Sequence, residues 1–360
     1  MKIAQVAPLY ESVPPRLYGG TERVVSYLTE EFVRQGHDVT LFASGDSLTT
    51  ARLRPMCSRA LRLEGKKVVD PLAYHVRMIE MVAREAPDFD VVHFHIDYLH
   101  FPVTRRQRIS AVTTLHGRLD IPDLIPVYRE FPDMNLVSIS NAQRTPIPWA
   151  NWVATVYHGV PGALYKPQDS PGKYLAFLGR ISPEKRVDRA IEIARRVGMP
   201  IRIAAKIDAV DREYFDSEIR KLLDDPLVEY IGEIGEFEKS DFLGNAYALL
   251  FPIDWPEPFG LAMIEAMACG TPVVAYRMGS VPEILDEGIT GYLVDNLDDA
   301  VKAVHRICSL DRRICREVFE QRFSVRRMCL DYFDLYTHLH GRAPTEPGLT
   351  SAGEGLSAVA

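Results

Sequence analysis

The first 43 residues restrict the fold most. An apolar run at 2–8 reads as a buried strand, and a loop holding Gly19 and Gly20 follows it. Over 21–36, Val24, Val25, Leu28 and Phe32 recur at helical spacing, and Gly36 ends the helix. A second apolar strand occupies 37–43. Strand, helix and strand in that order make a βαβ unit, whose crossover lays the two strands parallel. The rhythm continues with strands at 91–95, 111–115 and 136–140, and with helices over 71–86 and in part of 97–107.

The chain has 360 residues, too many for one ordinary domain and enough for two. We read residues 1–165 as a first α/β domain, and the Pro- and Gly-containing stretch 166–173 as a linker. A second α/β run fills 174–322. Its expected strands are 174–180, 201–205, 227–231, 247–251 and 291–294, with helices at 184–198, 211–224, 238–246 and 298–309. A last helix spans about 324–340. The tail 341–360 has the Gly, Pro, Ser and Thr content of a disordered segment. Open parallel sheets take ligands outside the carboxyl ends of their strands, so two such domains face to face make a cleft.

The stretch 251–276, FPIDWPEPFGLAMIEAMACGTPVVAY, reads as strand end, loop, helix, tight turn and strand. Pro256 and Pro258 flank Glu257 and stiffen its loop. Gly260 lets the backbone come close to a ligand where the helix opens. Glu265 interrupts LAMIEAMA, a run otherwise apolar nearly all round. A carboxylate buried there needs donors, and the hydroxyls of a bound sugar are one source. The plain alternative is that Glu257 caps the helix and Glu265 pairs with an arginine.

This segment resembles the Glu-x7-Glu signature of retaining family 4 glycosyltransferases (group 1). The resemblance covers nearly the whole chain to about residue 340 and is strongest at 174–188 and 251–276. It implies the GT-B architecture: two Rossmann-like, doubly wound parallel-sheet domains facing across a cleft, with the last helix packing back on the first domain. It also implies roles for named residues. Gly179 and Arg180 end a strand in LGRISPEKRVD and Lys185 follows five residues on, a pair that the family places on the donor diphosphate. Gly260, Leu261 and the helix dipole behind them add anion binding, and Phe259 belongs to the same donor loop. Gly19-Gly20 looks like the loop that reaches the phosphates from the other domain, although a simple tight turn fits it equally. His116, after the strand at 111–115, matches the histidine that contacts the donor sugar.

Other polar residues carry weaker expectations. His95, Ser140, Asn141 and His158 are placed on the acceptor side. His93 and His95 alternate on one strand but lack a third partner for a metal, and no metal is expected. Asp88-Phe89-Asp90 precedes its strand and reads as a turn. Basic residues gather at 52–67 (Arg52, Arg54, Arg59, Arg62, Lys66, Lys67) and at 105–108. A solvated face or an anionic soluble acceptor explains them as well as a membrane surface does.

The expected activity is transfer of a hexosyl group from a nucleotide-diphosphate sugar, UDP-linked on family frequency alone, to an acceptor hydroxyl with retention and without a cofactor. Arg180, Lys185, Glu257 and His116 form the catalytic set, and Glu265 joins the donor site. The acceptor is a sugar, a small molecule or a lipid. A sugar-nucleotide epimerase and a non-catalytic nucleotide-sugar sensor are the competing readings. The net charge of −7 argues against nucleic acid. Five cysteines without a CxxC pair fit a reduced compartment. MKIAQVAPLY is a first strand, and no apolar run approaches the ~20 residues of a membrane span. The expected location is the cytoplasm, with peripheral contact at the inner membrane face as the lesser reading.

Overall fold

The computed structural model describes residues 1–65 and 68–340. Lys66, Lys67 and the expected tail 341–360 lie outside the described residues. The chain builds two all-parallel sheets. The first contains β1 (Lys2–Val6), β2 (Asp38–Ser44), β3 (Arg52–Cys57), β4 (Val91–Phe94), β5 (Ala111–Thr114), β6 (Leu136–Ser138) and β7 (Trp152–Thr155), in the order β3-β2-β1-β4-β5-β6-β7. The second contains β8 (Tyr174–Arg180), β9 (Ile201–Lys206), β10 (Val228–Gly232), β11 (Ala246–Phe251), β12 (Val273–Tyr276) and β13 (Gly291–Val294), in the order β10-β9-β8-β11-β12-β13. Winding reverses between β1 and β4 in the first sheet and between β8 and β11 in the second. A doubly wound sheet opens its ligand crevice at such a reversal.

Pairing fixes what lies beside each crevice. Gln5 of β1 stands beside His93 of β4, and Gly179 and Arg180 of β8 stand beside Ala205 and Lys206 of β9. The helix Gly20–Arg34 follows β1, and the helix Leu261–Ala268 follows β11. Both begin at the cleft. Core strands such as β4 and β12 are buried along their whole length, as strands covered on both faces must be.

Several segments depart from the sequence expectations. The basic stretch from Arg52 forms β3, an edge strand in which Pro55 costs no central ladder bond; Arg54 pairs with Glu85 of the neighbouring helix. The segment 211–224, expected to be one helix, is a short α turn followed by π and 3-10 turns. The helix Arg312–Arg322 was not anticipated, because its arginines hide its periodicity. Two of them are structural: Arg312 donates to the carbonyls of Gln168, Ala246 and Gly244, and Arg316 to those of Tyr165 and Ala268. Residues 166–173 are held against the second sheet rather than free, with Lys166 N–H donating to Ser240 Oγ at 2.9 Å and Gln168 N–H to the Cys269 carbonyl at 3.0 Å.

The helix Val325–His340 returns to the first sheet. Met328, Cys329, Tyr332 and Tyr336 are buried with Ile3, Val24, Leu28 and Phe32. The chain's two crossings between the halves touch. Val160 N–H donates to the Phe323 carbonyl at 2.9 Å, and Val325 N–H donates to the Val160 carbonyl at 3.0 Å. Gly159 permits this approach, since a Cβ there would lie 2.4 Å from the Ser324 carbonyl oxygen. Gly159→Ala should therefore lower the urea midpoint by the equivalent of about 1–3 kcal/mol. Gly117→Ala, with nothing within 4 Å of its Cβ position, should stay within about 0.5 kcal/mol of wild type.

Candidate active site

A cavity of about 540 Å³ opens between the two halves, within the range of small-molecule sites. One wall is the motif loop and the helix after it. Gly260 takes a left-handed φ of +86° and turns the chain from Phe259 into Leu261–Ala268. An added Cβ would meet Met263 Cε at 2.6 Å, so glycine is required by both conformation and space. The loop is braced from behind by Ser280, whose N–H donates to the Glu257 carbonyl and whose Oγ donates to the Phe259 carbonyl. The first amides of the helix have no carbonyl behind them, and the dipole favours an anion there. The glycine loop stands opposite: the Cβ position of Gly20 is 3.7 Å from Leu261 Cδ1.

Both motif carboxylates are buried, and each meets a lysine. Glu257 pairs with Lys185 and accepts from Trp255 Nε1 at 3.1 Å. Lys185 Nζ also lies 4.9 Å from the Trp255 ring centroid, a cation–π contact. Glu265, 2% exposed, receives Lys239 Nζ at 2.7 Å. Lys239 also faces Glu236 at 3.6 Å, and Glu236 pairs with Arg23 of the first half and accepts from Tyr165 Oη at 2.7 Å. Burial opposes ionisation of Glu236, but the charges of Lys239 and Arg23 prevail and hold its carboxyl below the usual range. This buried network crosses the domain boundary. Arg180 sits among three carboxylates. It pairs with Glu184 and lies 3.6 Å from Asp208 and 3.3 Å from Asp211, the last an ion pair without hydrogen-bond alignment.

The opposite wall is histidine-rich. His116 Nε2 lies 2.9 Å from His95 Nδ1, and its ring stacks on His158 at 5.2 Å. His116 Nδ1 is buried without a partner among the described residues. Burial pushes the His116 pKa down to about 3, and burial likewise depresses His93, His95 and His158. The chain thus presents neutral imidazoles.

The model described as "Glycosyl transferases group 1" matches residues 166–321, and "Glycosyltransferase Family 4" matches residues 18–168. The chain belongs to the group 1, family 4 glycosyltransferases. Among curated relatives, D-inositol 3-phosphate glycosyltransferase of Mycolicibacterium smegmatis is 30% identical over 203 residues, covering 50% of this chain but only 43% of that protein. N-acetyl-alpha-D-glucosaminyl L-malate synthase of Bacillus anthracis is 24% identical over 77% of this chain and 81% of its own length. Two solved structures share the fold. AviGT4, a glycosyltransferase involved in avilamycin A biosynthesis, superposes with a TM-score of 0.72 at 24% identity, covering 95% of this chain and 98% of its own. Anabaena Alr3699/HepE in complex with UDP-glucose does so with a TM-score of 0.72 at 16% identity, covering 94% of this chain and all of its own. The two doubly wound halves are therefore those of a GT-B glycosyltransferase.

In this glycosyltransferase, Gly19, Gly20, His116, His158, Gly179, Arg180, Lys185, Glu257, Phe259, Gly260, Leu261 and Glu265 all line the cavity. Three expected acceptor-side residues do not. His95 is buried one layer below the wall, between His116 and Gln5. Ser140 is fully buried because the chain tightens into a 3-10 turn after β6, and its Oγ accepts the Gln143 N–H at 3.1 Å. Asn141 stands at a contact between the halves, where its N–H and that of Ala142 donate to Glu283 at 2.7 and 2.6 Å. The Asp88-Phe89-Asp90 turn closes the far end of the sheet, with Asp90 accepting the Lys2 N–H at 2.8 Å. No helix of the described residues is long and apolar enough to cross a membrane.

Sequence reading missed Arg23, Lys239 and Glu236. Arg23 could have been found, since it lies one turn into the helix that opens at the glycine loop. Lys239 meets Glu265 across 26 residues, with no local pattern to mark it. Glu22, 6% exposed in the cavity wall, was missed as well; burial raises its pKa.

The depressed histidines give a signed expectation. A group whose folded pKa lies below its unfolded value near 6.5 stabilises the fold above that value, and the contribution falls away as pH drops toward the folded pKa. Stability should decline from about pH 6.5 downward, before most carboxylates titrate. His116→Gln should flatten that decline in urea unfolding measured between about pH 7 and 4.5.

Proposed function

We propose that this glycosyltransferase moves a hexosyl group from a nucleotide-diphosphate sugar, UDP-linked by preference, to an acceptor hydroxyl with retention of anomeric configuration. The observation that carries the reading is a convergence on one wall of the cavity: a helix start opened by Gly260, the cations Arg180 and Lys185, and two buried carboxylates eight residues apart. The Anabaena protein named above has been solved with UDP-glucose and with UDP, which supports a uridine donor by likeness.

The chemistry follows from charge. Departure of the diphosphate from the anomeric carbon builds negative charge on its oxygens. The amides at Leu261, with Arg180 and Lys185, stabilise that charge from a preorganised position, and such electrostatics is often the largest catalytic term. The diphosphate competes with Glu257 for Lys185 and with Glu184, Asp208 and Asp211 for Arg180. Glu257, released from Lys185, accepts from sugar hydroxyls. Glu265 accepts from the ribose hydroxyls while Lys239 keeps its place beside it at 2.7 Å. His116 meets the sugar from the opposite half. Two cations and a helix start do the work a metal does elsewhere, so the reading needs no metal. The names of both curated relatives include an anionic group, a phosphate and a malate, and Arg62 in the cavity wall, paired with Glu11 at 3.2 Å, suits an anionic acceptor.

The test is calorimetric titration with UDP, GDP and ADP. One nucleotide should bind at micromolar strength. Glu265→Ala should weaken it by about 2 kcal/mol, the scale of a lost charge-assisted hydrogen bond. Arg180→Ala should weaken it by more, because Glu184 and Asp211 then face the diphosphate without the Arg180 charge. Failure of all three nucleotides to bind, or indifference to both substitutions, overturns the donor assignment.

A further inference from the structure

We propose that Tyr336, on the returning C-terminal helix, is a positioning residue that sets the tautomer of His116 through Gln5 and His95. The inference rests on the reading of His116 as a donor-sugar contact, but its first test is independent of that reading.

The contacts form one chain. Gln5 Nε2 donates to Tyr336 Oη at 3.3 Å, and Gln5 Oε1 lies 2.8 Å from His95 Nε2. A carbonyl oxygen only accepts, so His95 carries its proton on Nε2. His95 Nδ1 is then a bare lone pair, and its 2.9 Å contact with His116 Nε2 needs the proton on His116. That leaves His116 Nδ1 without a proton and without a partner among the described residues. It is a bare acceptor, buried in the cavity wall. Burial keeps the imidazoles neutral, so each ring has one proton to place and the choice passes from ring to ring.

The far side of the chain is anchored on the same helix. Tyr336 Oη, having accepted from Gln5, donates to His93 Nδ1 at 2.6 Å. His93 Nε2 contacts Thr114 Oγ1 at 2.7 Å, and Thr114 Oγ1 contacts Tyr332 Oη at 2.8 Å. Without Tyr336 the Gln5 amide has no fixed sense. If it rotates, Nε2 faces His95, the His95 proton moves to Nδ1, and His116 Nδ1 becomes a donor. Docking of the last helix, which follows the final crossing between domains, is thereby tied to the proton placement of a residue in the cavity wall.

The test compares full-length wild type with Tyr336→Phe, which keeps the ring stacked on Phe32 and removes only the hydroxyl. Histidine nitrogen-15 spectra of the ligand-free protein report the tautomer. The wild type should show His116 protonated on Nε2 only, and Tyr336→Phe should show a mixture of tautomers or the opposite one. Gln5→Leu breaks the same path from the other side and should give the same change should Tyr336→Phe fold poorly. Turnover should then fall roughly five- to tenfold with little change in donor KM, the scale of one misplaced hydrogen bond. A His116 signal unchanged in both variants, or a wild type protonated on Nδ1, overturns the proposal. A tautomer that shifts while turnover does not supports the relay and instead removes His116 from the donor site.

Discussion

Two backbone hydrogen bonds, joining Val160 to Phe323 and Val325, pin together the two places where the chain passes between its halves. The geometry of the cleft depends on them. Each sheet supplies half a site at its own winding reversal: the glycine loop and the His116 wall beside β1 and β5, the Arg180 strand end and the motif loop beside β8 and β11. Neither half is a site alone. The crossing makes the carboxyl ends of both sheets face one space, and Gly20 and Leu261 meet across it. A second tie, the buried Arg23–Glu236 pair, joins the halves near the same space. A buried pair is costly to break on one side only, so it favours one relative placement of the domains more than it adds to stability.

The charges in the cavity are balanced internally. Lys185 rests on Glu257, Lys239 on Glu265, and Arg180 among Glu184, Asp208 and Asp211. A carboxylate buried in the largely apolar helix Leu261–Ala268 needs such a partner. The same arrangement makes the cations exchangeable. Under the proposed donor site, a diphosphate that replaced Glu257 at Lys185 would leave that carboxylate free to accept hydroxyl donors, linking anion and sugar binding through a single lysine. The plain alternative weighed from the sequence differs in both parts: Glu257 pairs with Lys185 rather than capping the helix, and the partner of Glu265 is Lys239 rather than an arginine.

What the sequence made legible follows from the range of the interactions. Strand and helix periodicity are local, so β1, β2, β4, β5 and β8 to β13 lie close to their expected positions, and the parallel order follows from the crossovers. β3 and β7 were missed because edge strands tolerate Arg, Pro and half-exposed positions that blur alternation. The helix at 211–224 failed because its spacing is interrupted by a π turn that no single residue announces. At the site, the residues on strand ends and in the motif loop were legible because topology puts strand ends at the crevice. Lys239, Gln5 and Tyr336 were not, since each meets a residue far away in sequence. Ser140 and Asn141 were misplaced for a related reason: a strand end two residues too early turns a cleft residue into a turn cap.

The proposed donor site sits where the two winding reversals face each other, with the diphosphate at the start of the helix Leu261–Ala268. The most direct measurement is a crystal structure of the protein grown with UDP or the nucleotide that titrates best. Phosphate oxygens are expected within hydrogen-bond distance of the Leu261 amide and of Arg180 or Lys185, with the Lys185–Glu257 contact opened and the ribose on Glu265. A nucleotide bound elsewhere, or one seated in the cleft with Lys185 still on Glu257 and no phosphate at the helix start, would contradict it.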